Sequence, residues 1–249
     1  MGLTTWAKNS VLNALLNHTP LQLSPYVALH SDDPGDNGAN ELSGNNYARV
    51  AMLFDVPSGG AIQNTALVPM PTASANWSAA PYGALWDALS GGHCIYGGAL
   101  DRTITVLSGE YARWAIGALD ISASTAFGTD TWDDILAALF CNTALDVTAV
   151  YASLHSGDPG TNGANELSGG AYARTTMSFG AAADGIASND VACETPEASA
   201  DWTQATHTGL WTALSGGTFI WGRALTTPRT VLTGKIFVWA IGDVDVTFG

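Results

Sequence analysis

The chain repeats itself once, with an offset of 125 residues. Residues 26–49 read YVALHSDDPGDNGANELSGNNYAR and residues 151–174 read YASLHSGDPGTNGANELSGGAYAR, which are identical at 18 of 24 positions. The same offset aligns LWDALSGG in the first copy with LWTALSGG in the second. This period is too long for a solenoid and gives each copy the size of a domain. We therefore predict two domains, residues 1–125 and residues 126–249.

The charge of the chain limits its partners. The 249 residues include 22 acidic and 8 basic side chains, for a formal net charge of −14, and the copies contribute −5 and −9. The scattered Lys and Arg residues form no phosphate-binding face and no polybasic patch, so we expect neither nucleic acid nor a membrane as partner. The uncharged stretch 56–86 is too rich in Pro, Ser and Gly for a membrane helix. The N-terminus lacks the pattern of a signal peptide, which favours synthesis in a cytoplasm.

Each copy begins with a helical pattern. In the first copy, Thr4 or Thr5 can cap an amphipathic run that ends before Asn17. In the second copy, Thr131 precedes two carboxylates and an apolar stripe that ends before Asn142. We predict a short helix at the start of each copy.

The remainder of each copy has the pattern of β-structure. Residues 26–30 and 150–155 are strand candidates, and residues 243–248 alternate polar and apolar side chains. Leu-Ser-Gly-Gly turns, in which Gly adopts positive φ at little cost, stand at 89–92, 167–170 and 214–217. The predicted fold class is mainly β, with two tandem antiparallel β-sandwich domains of jelly-roll-like type, each preceded by a short N-terminal α-helix.

The loop within the repeated segment is the first place to look for a site. Its motif consists of His30, Asp33, Pro34, Gly35, Glu41 and Arg49, and in the second copy of His155, Asp158, Pro159, Gly160, Glu166 and Arg174. Weak candidates for oxygen ligands of a hard cation are Asp33, Asp36, Glu41, Asp158 and Glu166. Their spacing does not follow the EF-hand pattern, so we predict neither a metal nor another cofactor. We expect the loop carboxylates and amides to bond their own backbone and the glutamates to pair with the arginines.

A hydrolase is a remote alternative. The residue types of a base, a nucleophile and a carboxylate occur at His30, Ser31 and Asp33 and again at His155, Ser156 and Asp158. Adjacent residues on a strand point to opposite faces, and a catalytic triad assembles from separated segments. The chain also contains no G-x-S-x-G motif, so we predict that it is not an enzyme.

The cysteines and tryptophans are interpreted as core residues. At the repeat offset, Cys94, Cys141 and Cys193 stand opposite the apolar Phe219, Leu16 and Val68. We therefore expect core thiols rather than disulfides or metal ligands. Six tryptophans are shared by the copies, namely Trp77, Trp86, Trp114, Trp202, Trp211 and Trp239. We predict that they fill the core; an exposed Trp cluster beside the loop would instead favour carbohydrate binding.

The segment LHSGDPGTNGANELSGGAYAR, followed by the Trp202 segment and GLWTALSGG, resembles a module of bacteriophage virion proteins described as tail-fibre-like or minor structural proteins. The first copy follows the same plan, with Asp32 in place of Gly157 and Asn45 in place of Gly170. The resemblance implies a β-rich virion component without catalysis or cofactor. We expect major capsid or tail proteins as partners and a homo-oligomer on the particle.

Two locations on the virion fit this resemblance. The chain is either a compact tail-fibre-associated module or a capsid decoration protein, and the sequence leaves both open. An acidic surface suits docking on a basic patch of another virion protein. The alternative function is a carbohydrate-binding host-adhesion module, whose partner is a host-surface glycan.

Overall fold

The computed structural model describes residues 2–122 and 127–248. In the first copy the elements are β1 (Gly2–Leu3), α1 (Thr5–Asn17), β2 (Tyr26–His30), β3 (Val50–Ala51), β4 (Ala61–Gln63), β5 (Val68–Pro69), β6 (Ala80–Trp86), β7 (Cys94–Ile104), β8 (Arg113–Trp114) and β9 (Asp120–Ser122). In the second copy they are α2 (Thr129–Phe140), β10 (Tyr151–His155), β11 (Thr175–Thr176), β12 (Ile186–Ser188), β13 (Cys193–Glu194), β14 (Ala205–Trp211), β15 (Phe219–Arg229), β16 (Val238–Trp239) and β17 (Asp245–Thr247).

Both copies use the same antiparallel topology. Four strands of the main sheet correspond, in the order β7-β6-β2-β3 in the first copy and β15-β14-β10-β11 in the second, and β1 extends the first sheet beside β7. Two short ribbons complete each copy, β4-β9 and β5-β8 in the first and β12-β17 and β13-β16 in the second. The registers also agree, since Tyr26 pairs with Trp86 and Tyr151 pairs with Trp211. The structure confirms the prediction of a mainly β chain built from two tandem β-sandwich halves, each with a preceding helix.

The alternation of polar and apolar residues in the sequence matches the alternation of exposed and buried side chains at the end of the second copy. Val244 and Val246 are fully buried near the C-terminal end, whereas Asp243 between the turn and β17 is exposed. In the Leu-Ser-Gly-Gly turns, Gly91 and Gly92 have φ values of 63° and 70°, which glycine adopts at less cost than residues with a Cβ atom. The predicted alternation and the predicted turn chemistry are therefore confirmed.

The helix caps agree with the prediction in one copy and differ in the other. Thr4 precedes α1, and its hydroxyl accepts the N–H of Ala7 at 3.2 Å. The prediction of a Thr131 cap is wrong, because α2 begins at Thr129 and Thr131 lies in its first turn. The Thr131 hydroxyl donates instead to the carbonyl of Phe219 at 2.8 Å. The side chain thus ties the helix to β15 rather than capping it.

The repeat offset changes by one residue in the helices. The bond from Lys8 N–H to the Thr4 carbonyl corresponds to the bond from Trp132 N–H to the Gly128 carbonyl, an offset of 124. Cys141 therefore corresponds to Asn17 and not to Leu16, as the constant offset of 125 had predicted. This explains why Cys141 is only half-buried, whereas Cys94 and Cys193 are buried. The core interpretation fits those two cysteines and is wrong for Cys141.

The chain divides into two compact units. The first comprises Met1–Ser10, Leu21–Ser122 and Ile135–Ala144, and the second comprises Val11–Pro20, Ala123–Asp134 and Leu145–Gly249. The predicted boundary between residues 125 and 126 lies outside the described residues. In the described part of the chain, neither helix has the length and apolar character needed to cross a bilayer.

Candidate functional site

The six repeated tryptophans lie inside the protein. Their relative exposures range from 2% to 8%, for Trp77, Trp86, Trp114, Trp202, Trp211 and Trp239. None of them can therefore present a ring face for stacking on a sugar, which removes the main support for carbohydrate binding beside the loop. Trp86 and Trp211 instead form the centre of a polar cluster built from the repeated motif.

In the first copy, Arg49 holds three parts of the chain together. Its guanidinium donates to both carboxylate oxygens of Glu41, at 2.8 and 2.7 Å. A third nitrogen donates to the carbonyls of Ala88 and Gly91, at 2.8 and 2.6 Å. The charged group also stacks on the indole of Trp86, 3.6 Å from the ring centroid. We call this arrangement of Arg49, Glu41 and the 88–91 turn the first arginine clamp.

The second copy contains the same clamp. Arg174 donates to Glu166 at 2.8 and 2.7 Å and to the carbonyls of Ala213 and Gly216 at 2.8 and 2.6 Å. It lies 3.7 Å from the ring centroid of Trp211. The arginine side chains are only 6% and 8% exposed and the glutamate side chains 21% and 22%, so each pair is largely buried. Removing one partner of such a pair leaves an uncompensated charge and costs about 3–5 kcal/mol.

The loop of the repeated motif, residues 33–41 in the first copy, packs closely against the tryptophan. A Cβ atom on Gly38 would lie 2.1 Å from the Trp86 ring, so only glycine allows the loop to approach this closely. Pro34 packs on Gly97 of β7, where an added Cβ would lie 2.9 Å from the proline ring. The motif residues are thus explained by packing of the loop against the sheet.

The motif histidines are buried and neutral. His30 and His155 are 0% exposed, and their Nδ1 atoms lie 2.6 and 2.7 Å from the carbonyls of Ala39 and Ala164. Burial lowers the pKa of both imidazoles below the ordinary value of 6.5. A neutral ring with its proton on Nδ1 satisfies the carbonyl, which leaves Nε2 as an acceptor.

The copies differ at the histidine Nε2 atom. In the second copy, the hydroxyl of Ser153 lies 2.8 Å from His155 Nε2 and accepts the N–H of Trp211 at 3.1 Å. The first copy has Ala28 at this position. There, His30 Nε2 and Trp86 Nε1 are both buried without a hydrogen-bond partner.

The serine and aspartate residues do not form a catalytic arrangement with the histidines. The hydroxyls of Ser31 and Ser156 donate to loop carbonyls at 3.2 and 3.3 Å. The buried hydroxyl that does reach His155 belongs to Ser153, which is 0% exposed. Since a nucleophile must reach its substrate, this geometry gives the hydrolase alternative no support.

The candidate cation ligands are engaged separately. The carboxylates of Asp33 and Asp158 each accept the N–H of the second residue after them at 2.9 Å. Asp36 accepts the N–H and the hydroxyl of Thr5, at 3.1 and 2.6 Å, and these bonds lower the pKa of its carboxyl. The two glutamates belong to the clamps. Within residues 2–122 and 127–248, no group of three His, Cys, Asp or Glu residues could hold a metal ion.

The clamps hold turns that expose leucines. Leu89 and Leu214 lie between the two carbonyls that each arginine binds, and they are 57% and 55% exposed. Leu107 and Leu232 occupy another pair of equivalent turns, and Ile116 and Ile241 a third, with exposures from 49% to 68%. Sequence reasoning missed these residues because an apolar residue in a turn does not reveal its exposure. The signal that could have identified them is their presence in both copies at one offset.

Comparison with known families identifies a matching family model. The family model described as Podophage GP4 fiber I protein gp80 matches the chain twice, at residues 2–122 and at residues 127–247. The two matches coincide with the two structural copies. No curated protein matches the chain.

Proposed function

The chain belongs to the Podophage GP4 fiber I protein gp80 family. We propose that it is a non-catalytic tail-fibre component, and that the turns containing Leu89 and Leu214, which the arginine clamps hold, bind other virion proteins. Family membership makes it a structural component of a phage virion. The contact residues and the absence of catalysis are the parts that we propose here.

The main support for this proposal is that Leu89 and Leu214 are exposed in turns that buried arginines hold in place. An exposed leucine normally needs no explanation, but these two stand at equivalent positions in both copies. Each is held by a buried arginine that bonds the carbonyls on both sides of it. A rigid apolar residue loses little conformational entropy when a partner covers it, which favours its use as a contact.

A second pair of exposed apolar turns also suits a protein partner. Ile116 and Ile241, the most exposed of the shared apolar residues, also lie in turns closed by matching backbone bonds, from Ala118 to Ala115 and from Asp243 to Ala240. Interfaces combine such apolar contacts with complementary charge. With a net charge of −14, the chain is suited to a basic partner surface.

Substitution of the turn residues tests the proposal in the virion. We expect Leu89→Ser with Leu214→Ser to leave the fold intact, as measured by circular dichroism, and to reduce incorporation of the chain into particles. The matched control is Leu53→Ser with Val56→Ser, because these residues are exposed in the first copy alone. Normal incorporation of the turn variant, or equal loss in the control, would contradict the assignment.

The location and the oligomeric state are further parts of the proposal. The family description favours the tail fibre, and a capsid decoration protein is the second location. Copy number in the virion distinguishes them, because a shell repeats its components far more often than a tail. The homo-oligomer expected on the particle stays a prediction.

A further inference from the structure

Four arginines lie outside the clamps. They are Arg102, Arg113, Arg223 and Arg229, and each is exposed. Within the described part of the chain, none of them forms an ion pair; the ion pairs found there join Arg49, Arg174 and His93 to carboxylates. In a chain with 22 acidic residues, unpaired arginines are available for an external anion.

Two of these arginines line one groove in the first copy. Arg102 on β7 and Arg113 on β8 border a cavity of about 430 Å³, together with Thr103, Thr105 and Tyr111. Among the described residues, no acidic side chain lines this groove. Its volume lies within the range of small-molecule sites, about 300–1,000 Å³. We call it the first-copy groove.

The second copy has a groove at the equivalent place. Its lining includes Thr227, Arg229 and Val238, which stand 125 residues after Arg102, Ile104 and Arg113. This groove of about 330 Å³ also contains two arginines, Arg223 and Arg229, although they occupy different positions on the strand. In both copies, arginines that form no ion pair thus lie in the same part of the fold.

The first-copy groove is the better anion site of the two. In the second copy, Arg223 already donates to the carbonyls of Asp243 and Asp245, at 3.1 and 3.4 Å, and the Asp243 carboxylate borders the groove. In the first copy, Asp101 and Asp120 border an adjoining cavity of about 570 Å³, which Arg102 and Arg113 also line from their other side. An anion in the first-copy groove therefore contacts Arg102 and Arg113 without repulsion from a carboxylate that lines the same groove.

We propose that the first-copy groove binds an anionic saccharide, with the sugar's carboxylate or phosphate held by Arg102 and Arg113. Guanidinium groups bind these anions through charge-assisted and bidentate hydrogen bonds. The hydroxyls of Thr103 and Thr105 match sugar hydroxyls, and the half-exposed ring of Tyr111 offers a face for the sugar ring. The concave shape favours a saccharide over the flat surface of an acidic protein.

The groove is independent of the clamped turns. Its residues lie on β7, β8 and the turn between them, whereas Leu89 lies in the turn between β6 and β7. The proposal therefore goes beyond binding to virion proteins. Loss of saccharide binding and loss of particle incorporation can be separated by testing the two sets of variants in parallel.

Calorimetric titration of the full chain tests the proposal. The probes are an oligogalacturonate, inorganic phosphate and a neutral glucan oligosaccharide of equal length. We expect the acidic sugar to bind with one tight site and the glucan to bind about tenfold more weakly or not at all. Competition by inorganic phosphate would indicate that a phosphate group also fits the groove.

Matched variants separate the groove from general charge attraction. Arg102→Gln with Arg113→Gln should weaken binding of oligogalacturonate by about tenfold or more. Lys8→Gln with Lys235→Gln removes the same charge outside the groove and should weaken it less than about twofold. Equal weakening by both variants, no preference for the acidic sugar, or tighter binding of polyglutamate than of oligogalacturonate would overturn the proposal.

Discussion

The hydroxyl of Ser153 provides a direct test of how the polar cluster stabilises the second copy. Ser153 lies between His155 Nε2 and Trp211 Nε1, at 2.8 and 3.1 Å, and all three groups are buried. The substitution Ser153→Ala removes this hydroxyl and little volume. It therefore leaves the equivalent histidine and tryptophan nitrogens without the serine hydroxyl, as in the first copy, where Ala28 stands at this position.

The expected cost follows from the two nitrogens that lose their partner. An unsatisfied buried polar group costs about 1–3 kcal/mol, so the loss of both bonds in Ser153→Ala should lower the free energy of unfolding by about 2–6 kcal/mol. The matched control is Ser156→Ala, three residues further along, where the hydroxyl is exposed. That change should stay within about 0.5 kcal/mol.

Denaturant unfolding followed by tryptophan fluorescence measures both variants. The reasoning requires the midpoint of the second unit to fall for Ser153→Ala while its m value stays the same. A change below about 0.5 kcal/mol, or an equal change for the Ser156→Ala control, would refute the claim that these bonds stabilise the fold.

The reverse exchange in the first copy tests the same cluster. Ser153 faces Gly209 across the strands, whereas Ala28 faces Ala84. A Cβ on Gly209 would lie 2.8 Å from the Ser153 hydroxyl, so a serine at position 28 needs glycine opposite it. We expect Ala28→Ser to raise stability in the A84G background and not in the unmodified chain. Equal effects in both backgrounds would contradict this compensation.

Three further predictions concern the repeated motif. Gly38→Ala should destabilise the first copy severely in thermal melts, because its Cβ would lie 2.1 Å from the Trp86 indole. The control Gly35→Ala has a similar positive φ but open space around the added Cβ, so it should cost only about 1 kcal/mol. Equal costs for the two variants would contradict close packing of the loop on Trp86. Glu41→Gln should cost about 3 kcal/mol in denaturant unfolding because the buried Arg49 loses its counter-charge, and a loss below about 1 kcal/mol would contradict a buried clamp. Burial lowers the pKa of His30 and His155, so the unfolded chain takes up protons before the folded chain as the pH falls below 6.5. The thermal midpoint should therefore be constant above about pH 7.5 and fall towards pH 5.5. A constant midpoint between about pH 7.5 and pH 5.5 would contradict neutral buried imidazoles.

The sequence predicts the parts of the fold that depend on local pattern. The repeat, the strand at 26–30 and the glycine turns follow from spacing and turn chemistry. The pairing of Glu41 with Arg49 also follows, because the two residues are close in the chain. The carbonyls of Ala88 and Gly91 could not be predicted, since strand pairing brings them to Arg49 from about forty residues away.

The remaining differences have equally specific causes. The helix offset of 124 escaped detection because the helices share little sequence beyond an apolar stripe. The first-copy groove escaped detection because Arg102 and Arg113 have no counterparts at the repeat offset, where Thr227 and Val238 stand. Side chains that meet only through the β7–β8 geometry leave no periodic signal in the sequence.

Quantitative mass spectrometry of purified virions, combined with labelled-antibody electron microscopy, tests the central claim most directly. A tail-fibre component should be present in tens of copies or fewer, and the label should lie on the tail. Hundreds of copies on the capsid would contradict the fibre location in favour of a decoration protein. Absence of the chain from purified particles would contradict a structural role in the virion altogether.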